Sequence, residues 1–172
     1  MLEGKRVGVL IEDDFEDVEA AEPIRAMKYA GAKVVVIGSG SKASYKGKRG
    51  TVVIEADIQA GDARAEDFDA FIIPGGYAPD KMRLSQPMID LVKSAHNSGK
   101  IVAAVCQGPQ LLISADIVRN RRVTSWPSVA VDLKNAGAVW VDEPVVKDGN
   151  LITSRRPGDL PRFGQAIVEA LS

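Results

Sequence analysis

The sequence predicts an α/β fold: one open, mostly parallel sheet with helices on both faces. Three observations lead there. Short β-branched apolar runs alternate with stretches of helical spacing. Those runs are apolar at nearly every position, as in strands covered on both sides. The chain has 172 residues, which fits a single domain over 1–172 with a sizeable core.

The elements follow in order. Arg6–Ile11 (RVGVLI) reads as a buried strand, and Glu12-Asp13-Asp14 supplies N-cap candidates. Phe15–Tyr29 has helical spacing at Val18, Ala21, Ile24 and Met27; Pro23 is expected to kink or restart that helix, and Gly31 to stop it. Lys33–Ile37 (KVVVI) is a second strand, closed by Gly38-Ser39-Gly40. Tyr45–Ala56 reads as a short hairpin with Gly47 or Gly50 in its turn. Asp69–Pro74 (DAFIIP) is a strand running into Gly75-Gly76. Pro87–Asn97 is an amphipathic helix stopped by Gly99. Ile101–Val105 is a strand ending at Cys106, and Pro109–Ile117 is the helix after it. Val129–Ala136 reads as a helix and Val139–Val141 as a strand. Pro144–Thr153 reads as a hairpin around Asp148-Gly149, a type I′ signal. Asp159–Leu171 is a closing helix.

Composition narrows the function. Hydrophobic residues make up 45% and charged residues 26%, with net charge −1. That balance does not favour nucleic acid or an anionic membrane. No apolar run approaches the ~20 residues of a membrane span. The start, Met1-Leu2-Glu3-Gly4-Lys5-Arg6, has no signal-peptide layout, so a cytoplasmic protein is expected. A lone cysteine makes no internal disulfide, and no Cys/His cluster has metal spacing. No metal and no cofactor is expected.

Ligands of open parallel sheets sit beyond the carboxyl ends of the strands. Three such ends carry unusual chemistry: Ile11 into Glu12–Glu19, Ile73 into Pro74-Gly75-Gly76, and Val105 into Cys106-Gln107-Gly108. These loops are expected to meet. A lone cysteine after a buried strand often serves as a small core residue. Here, however, Ala104 and Gly108 leave room for a tight strand-to-helix corner, and Pro109 suits a first helical turn. A thiol at a helix N-terminus is placed for the dipole to favour thiolate. Gly75 and Gly76 form a plain turn or expose N–H groups to an oxyanion. Glu16 and Glu19 share a helix face; Glu16 reads as a solvated first-turn acid, whereas Glu19, among Val18, Ala20 and Ala21, is placed to point inward. Buried near a thiolate, Glu19 would hold its proton and titrate with the sulfur as a pair. His96, the only histidine, falls at the amino end of a strand and reads as an ordinary surface residue.

Five segments together resemble the ThiJ/PfpI family, the superfamily of the Parkinsonism-associated deglycase and the PfpI intracellular proteases. They are Asp14–Glu19 (DFEDVE), Pro74–Asp80 (PGGYAPD), Ala104–Ala115 (AVCQGPQLLISA), Thr124–Pro127 (TSWP) and Ser154–Leu160 (SRRPGDL). The likeness is closer to the PfpI branch. It implies a flavodoxin-like three-layer sandwich with a nucleophile elbow like that of class I glutamine amidotransferases. It implies Cys106 as nucleophile, Glu19 as protonated partner, Glu16 as a second glutamate, and the N–H groups of Gly76 and Gln107 as oxyanion donors. It also implies self-association as homodimers, or as hexamers built as trimers of dimers. Two departures stand out. Many PfpI-like members have histidine after the cysteine, paired with an acid from a neighbouring subunit; here the pair is Gln107 and Asp80. Where relatives have histidine or tyrosine twenty residues after the cysteine, this chain has Trp126.

These residues are compatible with three functions. One is an enzyme acting on reactive carbonyls, taking methylglyoxal or glycated amines and thiols, with Cys106 attacking carbon and Glu19 moving the proton. The second is a cysteine peptidase, weakened because glutamine takes up no proton near neutral pH. The third is a redox-responsive stress protein whose Cys106 oxidises to a sulfinate.

Overall fold

The computed structural model describes Met1–Ser172. Its elements are β1 (Arg6–Ile11), α1 (Asp17–Tyr29), β2 (Lys33–Gly38), β3 (Ser44–Lys46), β4 (Val53–Glu55), β5 (Ile58–Gln59), β6 (Ala70–Ile73), α2 (Ala78–Met82), α3 (Gln86–Asn97), β7 (Ile101–Val105), α4 (Pro109–Ser114), β8 (Arg122–Val123), α5 (Ala130–Asn135), β9 (Val139–Trp140), β10 (Val145–Asp148), β11 (Leu151–Ser154) and α6 (Leu160–Leu171). Seven strands form one sheet in the order β10-β11-β7-β6-β1-β2-β5. All pair in parallel except β10, which runs antiparallel to β11 at the edge. This is the flavodoxin-like sandwich with helices on both faces.

The apolar strands divide their side chains between two cores, because successive residues point to opposite faces. Val7, Val9, Ile72, Ala103 and Val105 pack with Met27 of α1 and Phe163 and Ile167 of α6. Leu10, Phe71, Ile73, Val102 and Ala104 pack with Met88 and Leu91 of α3, Leu111 and Leu112 of α4 and Leu133 of α5. Gly8 lies in β1 where a Cβ would sit 2.7 Å from Ile37 and 3.0 Å from Phe71, so the second core closes over a bare backbone.

Several local expectations are corrected. Helix α1 starts at Asp17, and Glu16 occupies the N-cap position without a side-chain cap. Glu12, Asp13 and Asp14 do not cap it. Glu12 accepts from the Ser39 and Ser41 hydroxyls, Asp13 and Asp14 pair with Lys42 and Lys81, and Asp14 has φ of 65°. The helix runs through Pro23 without interruption. Helix α4 ends at Ser114, before Ile117, and Asp116 adopts φ of 55°. The Val139–Val141 run forms β9 in a separate two-stranded parallel sheet with β8. The β10–β11 hairpin pairs Asp148 with Leu151 across Gly149-Asn150, and only Gly149 has positive φ, 59°. That is the requirement of a II′ turn; type I′ needs both central residues positive. In the β3–β4 hairpin both Gly47 and Gly50 lie in the turn. No helix is long and apolar enough to cross a membrane.

Candidate active site

Strands β7, β6 and β1 are neighbours in the sheet, so their carboxyl ends open side by side. Chain direction alone therefore brings together the loops that follow Val105, Ile73 and Ile11.

Cys106 sits at the corner with φ of 63°, a left-handed conformation that side chains rarely adopt. Both its backbone groups are held. Its N–H donates to Ser154 O at 3.0 Å, and its carbonyl accepts from Trp126 N–H at 2.9 Å. The glycines around it are enforced by space. A Cβ on Gly108 would fall 2.6 Å from Ile73 O, and one on Gly75 would fall 2.8 Å from the Cys106 Cβ. Gly76 has φ of 78°, and a Cβ there would lie 2.4 Å from Glu16 N. Strain at one residue is thus maintained by close backbone approach from three loops.

Glu19 is fully buried. Its Oε1 accepts the Gly75 N–H at 2.9 Å, while Oε2 has no hydrogen-bond partner of standard geometry. Burial pushes its carboxyl up to about 8, and the Glu16 charge adds to the rise; the Gly75 N–H opposes it. Cys106 is the side chain with which it couples. The thiol is itself pushed up to about 12, first by burial and then by the Glu19 charge. This corrects the expectation of a low thiol pKa at a helix N-terminus. Helix α4 has only six residues, and desolvation exceeds what its N-terminus returns. The N–H groups of Gln107 and Gly76 are directed at the sulfur and lower its pKa. Neither donates to a backbone acceptor elsewhere.

Glu16 is not the solvated acid expected. It is 5% exposed and takes a two-pronged contact from Arg49, at 2.7 and 3.0 Å, with Lys48 Nζ at 3.4 Å. Burial alone would raise its carboxyl, but Arg49 and Lys48 outweigh that and hold it below the ordinary range. Asp17 beside it is also buried. Its carboxylate accepts from the N–H groups of Arg49, Thr51 and Val52 and from the Thr51 hydroxyl. These bonds fix the β3–β4 turn that carries Lys48 and Arg49. Sequence reasoning passed over Lys48, Arg49 and the role of Asp17, because more than thirty residues separate the partners and nothing local marks the pairing.

Trp126 lies against the corner and is 39% exposed; the Arg156 guanidinium stands 5.8 Å from its ring centroid. Gln107 is half-buried, and Asp80 lies exposed on α2 without an ion-pair partner in its own chain. His96 is at the opposite end of the sheet, as expected from its position before β7, but it is not a plain surface residue. It is half-buried, with Nε2 3.2 Å from Arg121. Burial and the Arg121 charge hold it below the usual histidine range.

A model of the DJ-1/PfpI family matches residues 5–170. Protein/nucleic acid deglycase 2 of Escherichia coli strain K12 is 40% identical over 168 residues, covering 97% of this chain and 98% of that protein. General stress protein 18 of Bacillus subtilis is 41% identical over 169 residues, covering 98% of each. Among solved structures, Drosophila melanogaster DJ-1beta superposes with a TM-score of 0.90 at 34% identity, over 97% of this chain and 90% of that one. A two-domain protein of Anabaena variabilis, with DJ-1/ThiJ/PfpI-like and ferritin-like domains, gives a TM-score of 0.95 at 48% identity. That match covers 97% of this chain and 48% of the longer one.

Proposed function

This chain belongs to the DJ-1/PfpI family, and we propose that it is a cysteine-dependent enzyme of the deglycase or glyoxalase type that acts on reactive carbonyls. Its substrates would be methylglyoxal or methylglyoxal-derived adducts of amines and thiols. Relatives named deglycases at about 40% identity support an activity of this class. The observation that carries the reading is the pairing of Cys106 with a buried carboxyl that holds its proton up to about pH 8.

Carbonyl addition needs a sulfur nucleophile and one mobile proton, and the pair supplies both. The Cys106 thiolate forms a bond to the carbonyl carbon, and the π electrons move to oxygen. The N–H groups of Gly76 and Gln107 donate to that developing oxyanion, and Glu19 delivers the proton that neutralises it. Gly75 keeps Glu19 in place through its N–H. Peptide hydrolysis asks for more, since a proton must reach a poor leaving group repeatedly. Gln107 supplies none, and Trp126 offers only an indole N–H. Self-association as a homodimer or hexamer belongs to the same proposal, with Asp80 facing a neighbouring site.

Methylglyoxal and a short fluorogenic peptide offered in parallel test the reading, with Cys106→Ala as control. The expected result is carbonyl consumption lost in the variant and no peptide cleavage in either. Methylglyoxal consumption that survives Cys106→Ala would reject it.

A further inference from the structure

We propose that Arg156 selects carbonyl substrates that carry a carboxylate beside the reacting carbon, the glyoxylate class of oxo acids. The inference rests on the carbonyl-addition reading above and specifies its substrate. It begins with two adjacent arginines after β11. The backbone at Arg156 is extended, with φ of −162° and ψ of 169°, so neighbouring side chains leave in opposite directions. Arg155 turns to Asp159 and Asp142 and is fully matched. Arg156 turns to Trp126 and has no carboxylate partner; its Nε is buried without any hydrogen-bond acceptor. An unpaired buried donor is costly, and a charged one invites an anion beside it.

The place matters as much as the unpaired donor. Ser154, two residues before Arg156, holds the Cys106 N–H, and Trp126 holds the Cys106 carbonyl. The two segments that bring Arg156 to Trp126 are therefore those that grip the nucleophile. Across the site, Glu16 is already neutralised by Arg49 and Lys48, so it does not compete for the free guanidinium. A guanidinium 5.8 Å from an indole centroid keeps a fork of N–H groups for a planar carboxylate, the partner arginine recognises in two-pronged fashion. Sequence pattern alone gave no such indication, since Arg155 and Arg156 look equivalent there.

Glyoxylate and glyoxal differ by a carboxylate in place of an aldehyde and form the decisive pair. In Arg156→Ala, kcat/KM for glyoxylate is expected to fall at least tenfold further than for glyoxal, mainly through KM, with partial recovery in Arg156→Lys. An unchanged glyoxylate-to-glyoxal ratio overturns the inference while leaving the carbonyl chemistry standing. If wild type turns over neither compound, the carbonyl reading fails and binding decides. Cys106→Ser protein is then titrated with oxalate by tryptophan fluorescence. Loss of saturable binding on adding Arg156→Ala supports the anion site; equal binding, or none in either, rejects it.

Discussion

At the scale of single residues, the corner holds two buried acids, and the charge of Glu19 makes the Cys106 thiol harder to ionise. Reaction needs the pair to have lost one proton and kept one, because thiolate attacks while the carboxyl donates. The first proton leaves near the raised Glu19 value of about 8, so kcat/KM is expected to rise with pH through that region. In Glu19→Gln the amide oxygen still accepts from Gly75, but no carboxyl shares the charge. The rate should fall by ~10²–10³, in the range for losing a positioned proton donor. The rising limb should move above 9, the ordinary thiol value, since burial still opposes thiolate. A limb that stays near 8 in Glu19→Gln removes Glu19 from the step. The residues of this corner were legible because each is forced by local chemistry: small residues at the turn and a carboxyl among apolar neighbours. The thiol pKa was not legible, since desolvation depends on everything that packs over the sulfur.

At the scale of elements, the site depends on a hairpin far from it in sequence. Asp17, at the start of α1, ties down the β3–β4 turn with four hydrogen bonds. Its carboxyl is held below the usual range because those donors outweigh the burial that would raise it. Gly47 is required there, since a Cβ would come within 2.3 Å of the Asp17 carboxylate. Hydrogen bonds to a charged group contribute ~1.5–3 kcal/mol, so Asp17→Ala is expected to cost about 3 kcal/mol in denaturant unfolding. It should also release Lys48 and Arg49 from Glu16, which hydrogen exchange at residues 47–52 would report. A loss below 0.5 kcal/mol would show that the turn stands without its anchor. Strands β1, β2, β6 and β7 could be read from sequence because each is a continuous, largely β-branched or apolar run. The pieces β5, β8 and α2 could not, being two to five residues long, too short for any period to register. The acidic run after β1 read as a cap because local rules reward acids there; serines and lysines from distant loops claim those carboxylates instead.

At the scale of the whole molecule, the same buried groups set how stability responds to pH, and the signs differ. Asp13, Glu16 and Asp17 have lowered carboxyl pKa values, so their stabilisation is present above ~4 and disappears as acid protonates them. His96 is held low by burial and by Arg121. The unfolded chain binds its proton first, so stability also falls as pH drops below ~6.5. Glu19 acts the other way. Its folded value of about 8 exceeds the ordinary 4.5, so the native state binds the extra proton between those limits and loses stability as pH rises through them. At ~1.4 kcal/mol per unit, the toll by pH 8 amounts to a few kcal/mol. Glu19→Gln carries no such titration. It should therefore unfold at a higher temperature than wild type at pH 8, with the difference shrinking steadily toward pH 4.5. Thermal unfolding of both proteins across that range provides the measurement. Parallel curves would mean that Glu19 has the same pKa folded and unfolded, and the proton assigned to it in carbonyl addition would have no source. A converging pair, together with a loss of turnover in the same variant, would show one buried carboxyl lowering stability while supplying the reaction's proton.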